Sequence, residues 1–470
     1  MTLWIVLGGL GLALCLAMLP GRSADRQDPR AFFAARGQFG AVLFFLVSVG
    51  ETYSIGSLLG FPGGIAATRT VDVALWFIGY ILLACPVGYW LYPRLWAAGQ
   101  RTGAVTLPDL VKGWFCNVPL ERATALLLVV LMVPLGAMQF IGLNGVVAQM
   151  GLPLPVLPMA VFCAGIAFAF VAMTGLRATA RISLLKDVLI MIAVLTLAVA
   201  VCAAWPGDRA MPLRDVFHTP PAGKGAGTLF VISTIVMQAM GFCIAPQTVA
   251  ATFSARSPQV IRKAQIWLPL YMGLFPLLGV IAVFGIMNPG TSAAGDRIFL
   301  AVASLLLPGW ALSMVYCAVV LTALVWLGGM GLSLSAIVTR NLIPAVPARL
   351  QSRVGLVVIL VYFVCSVLIA IRPHTLIVTL NQFFYLGLVQ LLPAVLVCVE
   401  ALPVRSRAIL AGLIAGLASG VGLALSGWLA GGVHPALPAV AINVAIAVLW
   451  NAVEKRMGKA PAHIARENRL

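Results

Sequence analysis

Thirteen acidic residues are spread over this 470-residue chain, and only Glu51 falls in the middle of a long apolar run. An ionised carboxylate in hydrocarbon is costly, so such a group must face a cavity, pair with a cation or stay protonated. No Lys or Arg shares its run. Burial raises a carboxyl group's affinity for its proton towards neutrality, as a group that takes up and releases protons requires. Glu51 is thus a candidate for proton coupling or for contact with a polar solute. The plainer alternative is a permanently protonated side chain hydrogen-bonded within its own segment. Thr52, Tyr53, Ser54 and Ser57 follow it directly. Other polar side chains interrupt apolar runs at Gln139, Asn144, Gln238, Asn381 and Gln382. Each alone more often joins helices than holds a ligand, but together they can line a polar path. Lys186 and Asp187 are adjacent near one end of a run, where a snorkelling lysine is the ordinary reading. His218, His374, His434 and His463 all avoid run centres, so no histidine relay is indicated. The nine cysteines form no CxxC pair and read as small buried hydrophobes, mostly inside runs. Neither HExxH nor GxSxG occurs, and an enzyme is not expected.

The elements that must position these residues follow from composition. Apolar residues make up 62% of the chain and charged ones 9%, far too little charge to cover a soluble surface. The apolar runs reach bilayer-spanning length and lack the alternation of barrel strands, so they are helices. About thirteen spans are expected, near 2–20, 38–61, 72–98, 121–148, 153–175, 181–206, 227–250, 264–288, 310–340, 353–373, 376–399, 405–430 and 436–454. The net charge of +17 sorts by side: 24 of the 30 Lys and Arg residues flank one set of span ends. That asymmetry predicts a multi-pass protein of a bacterial-type inner (plasma) membrane, with its N-terminus outside and its C-terminus cytoplasmic. The basic balance then reports topology, not nucleic-acid binding. The first run lacks a basic start and is followed by Arg22, Arg26, Arg30 and Arg36, which favours a retained helix over a cleaved leader. No loop is long enough for a soluble domain. The stretch from Asp296 to Leu306 is short and apolar and reads as a helix lying along the surface.

Gly and Pro punctuate two spans five apart. Span two carries Gly50, Gly56, Gly60, Pro62, Gly63 and Gly64, and span seven carries Gly241 and Pro246. Interrupted helices at corresponding places in two halves point to a transporter site near the bilayer midplane. Several short motifs then line up in order. They are Arg30 to Gly37, Gly60-Phe61-Pro62-Gly63, Thr106-Leu107-Pro108-Asp109, Ser254-Ala255-Arg256-Ser257 with Arg262-Lys263-Ala264, and Gln390-Leu391-Leu392-Pro393. Together they make the chain resemble the sodium/solute symporter family over roughly residues 24–430.

The resemblance implies an all-α integral membrane protein with a five-plus-five inverted-repeat (LeuT-like) core. Residues 1–37 would form an extra helix and basic loop, 38–206 and 227–399 the two repeats, 400–455 two further helices and 456–470 a cytoplasmic tail. It also implies a sodium site between spans two and nine, built from backbone carbonyls of the broken helix and a hydroxyl pair on span nine. The chain departs from that pattern. The hydroxyl positions fall on Val325 and Trp326, neither of which can coordinate sodium, and Trp326 is large enough to fill the space. Gly50, Tyr53 and Thr322 are the residual candidates for metal ligands. On span six the family's T-D-x-x-Q falls on Ile182-Ser183 and Lys186, with Asp187 following. The expected function is a solute:cation symporter that imports a small polar metabolite, a monocarboxylate or an amino acid, by alternating access. Its coupling ion is sodium or a proton, and no cofactor is tightly bound. Glu51, Thr52, Tyr53, Ser54, Gln139, Gln238 and Asn381 are the expected solute and coupling residues. A transporter-like sensor that binds solute without net flux is the alternative.

Overall fold

The computed structural model describes residues 2–18, 41–151, 155–205, 216–217, 227–291, 295–372, 376–427 and 432–457, and every regular element among them is helical. The basic segment from Arg30 to Gly37 and the tail after Met457 lie outside these residues.

Helix α1 is Thr2–Met18. Span two divides as its glycines and proline predict. Helix α2 (Ala41–Thr52) ends at a bend at Tyr53 and Ser54, and the chain resumes as a π-helical turn, Gly56–Gly60, and helix α3, Phe61–Thr68. Ser54 organises the bend: its hydroxyl accepts from the Gly56 N–H at 3.1 Å, and its carbonyl accepts from Ser57 and Leu58 at 3.0 Å each. Pro62 has no N–H to donate and sits in the first turn of α3, where none is needed.

Next come α4 (Val71–Thr102), α5 (Leu107–Phe115) and α6 (Val118–Gln149). The TLPD motif starts α5 with a reciprocal capping box between Thr106 and Asp109. Helix α7 runs unbroken from Val156 to Ala203, so the two spans expected at 153–175 and 181–206 join in one helix. At 48 residues it greatly exceeds the thickness of a bilayer.

The second interruption lies between α8 (Thr228–Cys243) and α9 (Pro246–Ser254), which meet at 47°. Helices α10 (Pro258–Tyr271) and α11 (Leu274–Met287) follow. A 3-10 turn at Gly295–Arg297 then leads into α12 (Ile298–Leu306). The helix expected there is present, but it is no surface ornament, because Ile298, Phe299, Leu300, Val302 and Ala303 are buried. The remaining helices are α13 (Gly309–Ile337), α14 (Ala348–Ala370), α15 (Ile377–Leu388), α16 (Leu392–Val399), α17 (Ser406–Leu425) and α18 (Ala436–Arg456).

Among the described residues nine helical stretches are long and apolar enough to cross a membrane, ten with the bent α8–α9 pair counted as one. The other expected spans fall on the interrupted α2–α3 element and on the shorter apolar helices Trp4–Cys15 and Val156–Ala172. Burial separates centre from rim: 83% of the apolar stretch containing α13 is buried, against 22% of that in α18. Helix α13 packs against α1, α6, α7 and α14, α8 packs against α4, and α17 and α18 pair with each other. Outward-facing Leu126, Val130, Val357, Leu360, Val361 and Val364 form an apolar exterior suited to lipid. The protein is a multi-pass, all-helical membrane protein.

Candidate functional site

The bend in α2 leaves carbonyl groups that no helical turn can satisfy. The Lys186 ammonium meets two of them. Its Nζ donates to the Gly50 carbonyl at 3.1 Å and to the Tyr53 carbonyl at 3.2 Å. It also pairs with Asp187 Oδ1 at 2.8 Å. The lysine side chain is fully buried, so it does not snorkel to an interface as the sequence reading has it. Two of the ammonium's three N–H bonds go to these carbonyls, and Asp187 Oδ1 stands beside it as the charge partner.

Neighbouring helices lock the arrangement. Trp326 Nε1, from α13, donates to the same Gly50 carbonyl at 3.1 Å, so this side chain does occupy the expected hydroxyl position. The Tyr53 hydroxyl donates to the Tyr271 carbonyl at 3.0 Å, and the Tyr271 hydroxyl donates to the Asp187 carbonyl at 3.0 Å. The two tyrosine rings meet edge to face at 5.0 Å. Close approach of α2 to α7 depends on Gly50, where a Cβ would lie 2.3 Å from Ser183 Oγ and 3.5 Å from Asp187 Oδ2. Thr322 is fully buried, and its hydroxyl donates to the Ala318 carbonyl of its own helix at 2.6 Å.

The other expected site residues divide by what they bond. The Glu51 side chain lies outside the described residues. Thr52 is buried, and its hydroxyl donates to the Ser48 carbonyl at 3.0 Å. Gln139 Oε1 accepts from the Ile55 N–H at 3.4 Å, tying α6 to the break. Gln238 differs from these. It is 1% exposed, and among the described residues neither its Oε1 nor its Nε2 has a hydrogen-bond partner. Asn144 Oδ1 and Gln247 Oε1 are likewise buried and unpartnered among the described residues, and Asn381 Nδ2 has no more than a loose approach to the Tyr80 hydroxyl. Gln238 and Asn381 stand on packed helices, α8 and α15, where Gly241 fits against Tyr385 one turn away from each. Thr52, Ser48, Thr248, Thr252 and Gln265 are among the residues lining a cavity of about 10 Å³, at the lower limit for one water molecule.

Polar contacts tie helices together near both ends of the bundle. At one end Asp296 lies against α3, where a Cβ on Gly63 would come 2.5 Å from the Asp296 Cα. Asp296 Oδ2 accepts from the Ile377 N–H at the start of α15 at 2.9 Å. Its Oδ1 is buried without a partner. Burial pushes this carboxyl up to about 6, and the Ile377 N–H pulls it back only partly. At the other end Asn341 donates to Asp109 at 2.8 Å and to Glu121 at 2.9 Å. Arg340 Nε donates to Asp109 at 3.1 Å, and the Lys112 ammonium pairs with Glu121 at 3.0 Å.

Lys186, Asp187 and Tyr271 are the residues that sequence reasoning did not place at the site. A signal was present: Lys186 stands where the similar family carries the glutamine of T-D-x-x-Q, on the helix that faces the break.

A sequence model of the sodium:solute symporter family matches residues 32–416. The chain is 27% identical over 468 residues to an uncharacterized symporter, YhjB, of Bacillus subtilis, covering 95% of this chain and 94% of that one. It is 29% identical to a monocarboxylate transport permease protein of Rhizobium johnstonii, covering 88% of each. Among solved structures it superposes on a substrate-bound, outward-open Na+-coupled sialic acid symporter with a TM-score of 0.75. Identity there is 12%, with 95% of this chain and 97% of that one covered. It also superposes on MHP1, a nucleobase-cation-symport-1 family transporter in a closed conformation, with a TM-score of 0.57 at 15% identity, covering 90% and 93%. These likenesses establish the fold as the LeuT-like transporter type.

Proposed function

The chain belongs to the sodium:solute symporter family, and from that premise we propose that it imports a small monocarboxylate by alternating access about the broken α2–α3 and α8–α9 elements. The observation that carries this reading is Gln238, which lies within the interrupted α8–α9 element and is buried with both amide atoms unpartnered among the described residues. A buried amide without partners costs on the order of 1–3 kcal/mol, a cost that a polar solute bonding to it offsets. Asn381, whose amide lies near the Tyr80 hydroxyl, adds a second side-chain amide from the adjoining helix. Two amide donors suit a carboxylate, which only accepts hydrogen bonds. The Rhizobium johnstonii relative, named for monocarboxylate transport, supports the same class.

Alternating access in this proposal proceeds through the two closures. The seat of Asp296 on α3 and α15 closes the outer end, and the Asp109–Asn341–Glu121 network closes the inner end. The membrane is the inner membrane of a bacterial cell, with the N-terminus outside. The test is uptake into proteoliposomes of labelled short carboxylates, amino acids and sugars under separately imposed sodium and proton gradients. Accumulation of short carboxylates above the gradient-free level, lost in Gln238→Leu, is the expected result. Saturable binding without accumulation of any solute would refute transport and favour a sensor.

A further inference from the structure

The sodium ion that the family's name implies does not fit the residues present where the fold would hold it. Such a site needs converging oxygens with free lone pairs. Here the two carbonyls available from the broken helix, those of Gly50 and Tyr53, each accept a hydrogen bond from the Lys186 ammonium. Trp326 adds a second donor on the Gly50 carbonyl. Position 325 is valine, and the Thr322 hydroxyl is turned to its own helix. Donors rather than acceptors converge on this point, and the charge already there is positive.

We propose that Lys186 is a tethered cation that takes the place of the coupling sodium, so that this carrier neither binds Na+ at the α2 break nor draws on a sodium gradient through it. The proposal rests on the symporter reading only for what the site would otherwise do; the exclusion of sodium is a binding property and stands apart from solute identity. Asp187 balances the ammonium at 2.8 Å, which permits the charge to be fully buried. Tyr271, bonded to the Asp187 backbone and accepting from Tyr53, fixes α7 against the break so that the lysine reaches both carbonyls.

The test uses the purified full-length protein and needs no solute. Thermal melts are run in NaCl against equal KCl and choline chloride, and 22Na+ binding is measured by scintillation proximity. The wild type is expected to melt alike in all three salts and to bind no 22Na+ above background. Lys186→Gln, which keeps a side-chain amide and removes the charge, is expected to gain Na+ affinity by at least about tenfold, because a like charge at contact distance has been removed. A sodium-specific, saturable shift or 22Na+ binding in the wild type overturns the proposal, and that measurement stands even where the variant fails to fold. Failure of every solute to accumulate would instead count against the symporter reading and leave this result untouched.

Discussion

Replacing Asp187 by Asn should destabilise the protein by about 3–5 kcal/mol, the usual cost of removing one partner from a buried ion pair. The structure places this pair at the severe end. Lys186 is fully buried and Asp187 nearly so, and the ammonium has no exposed face through which water could replace the lost carboxylate. Its two other acceptors are neutral carbonyls, which bond the N–H groups without balancing the charge. Lys186→Gln alone should cost a comparable amount, since it strands a carboxylate whose only other side-chain bond is a long one, 3.5 Å, from Ser183. The double variant, Lys186→Gln with Asp187→Asn, leaves a neutral pair able to bond, and should lose less than the sum of the singles by about 1–3 kcal/mol. Titration of the detergent-solubilised protein with SDS, followed by tryptophan fluorescence, measures all four corners of the cycle. Additive losses, or an Asp187→Asn variant within about 0.5 kcal/mol of wild type, would refute the buried-pair account.

Gln238→Met should leave stability unchanged or raise it by about 1 kcal/mol, because it removes an unsatisfied amide at little change of volume. Uptake should nevertheless fall at least about tenfold, since a lost solute hydrogen bond is worth on the order of 1.5 kcal/mol; melts and proteoliposome assays on the same preparation check both. Asp296 holds its proton more tightly in the fold than in the unfolded chain. Its contribution is therefore complete below about pH 4, the usual carboxylate range, and is lost as pH rises through about 6. The difference is at most about 3 kcal/mol, and Asp296→Asn should flatten stability measured from pH 4 to 7. Gly63→Ala puts a methyl group 2.5 Å from the Asp296 Cα, where backbone and not a mobile side chain must yield. A loss of about 1–3 kcal/mol is expected in melts, together with reduced uptake.

Much of the scaffold was legible because it depends on local chemistry. Pro62 and Pro246 mark both helix breaks, and Trp326, at a position where the family carries a hydroxyl, bonds to a carbonyl of the first break. The role of Lys186 was harder to see because it depends on which face of a helix meets a segment more than 130 residues earlier. Helical phase carried part of that information. Ser183, Lys186, Asp187, Ile190, Val194 and Leu197 recur at three- and four-residue steps and are all buried, while Leu184, Val188, Met191 and Leu195 face outward. Proximity to a run's end argued for snorkelling; the stripe argued for the interior, and the stripe was right. The unbroken length of α7 was not legible, since Arg177 falls in the loop expected between the spans at 153–175 and 181–206.

The buried pair also bears on how a carboxylate would be selected. The carbonyls at the C-terminal end of α2 carry the negative end of a helix dipole and favour a cation beside them. A diffusible ion satisfies them only while it is bound. A tethered ammonium does so for as long as α2 and α7 stay together, so the break needs no ion to hold its shape. With Asp187 alongside, the net charge of the pair is zero, and little positive potential is left to attract an anionic solute. Selectivity for a carboxylate then has to come from neutral donors, which are the features that Gln238 and Asn381 offer on the neighbouring helices. The energy of any imposed gradient must likewise enter elsewhere than at the α2 break, because a cation fixed by a covalent chain cannot be taken from one side of the membrane and released on the other.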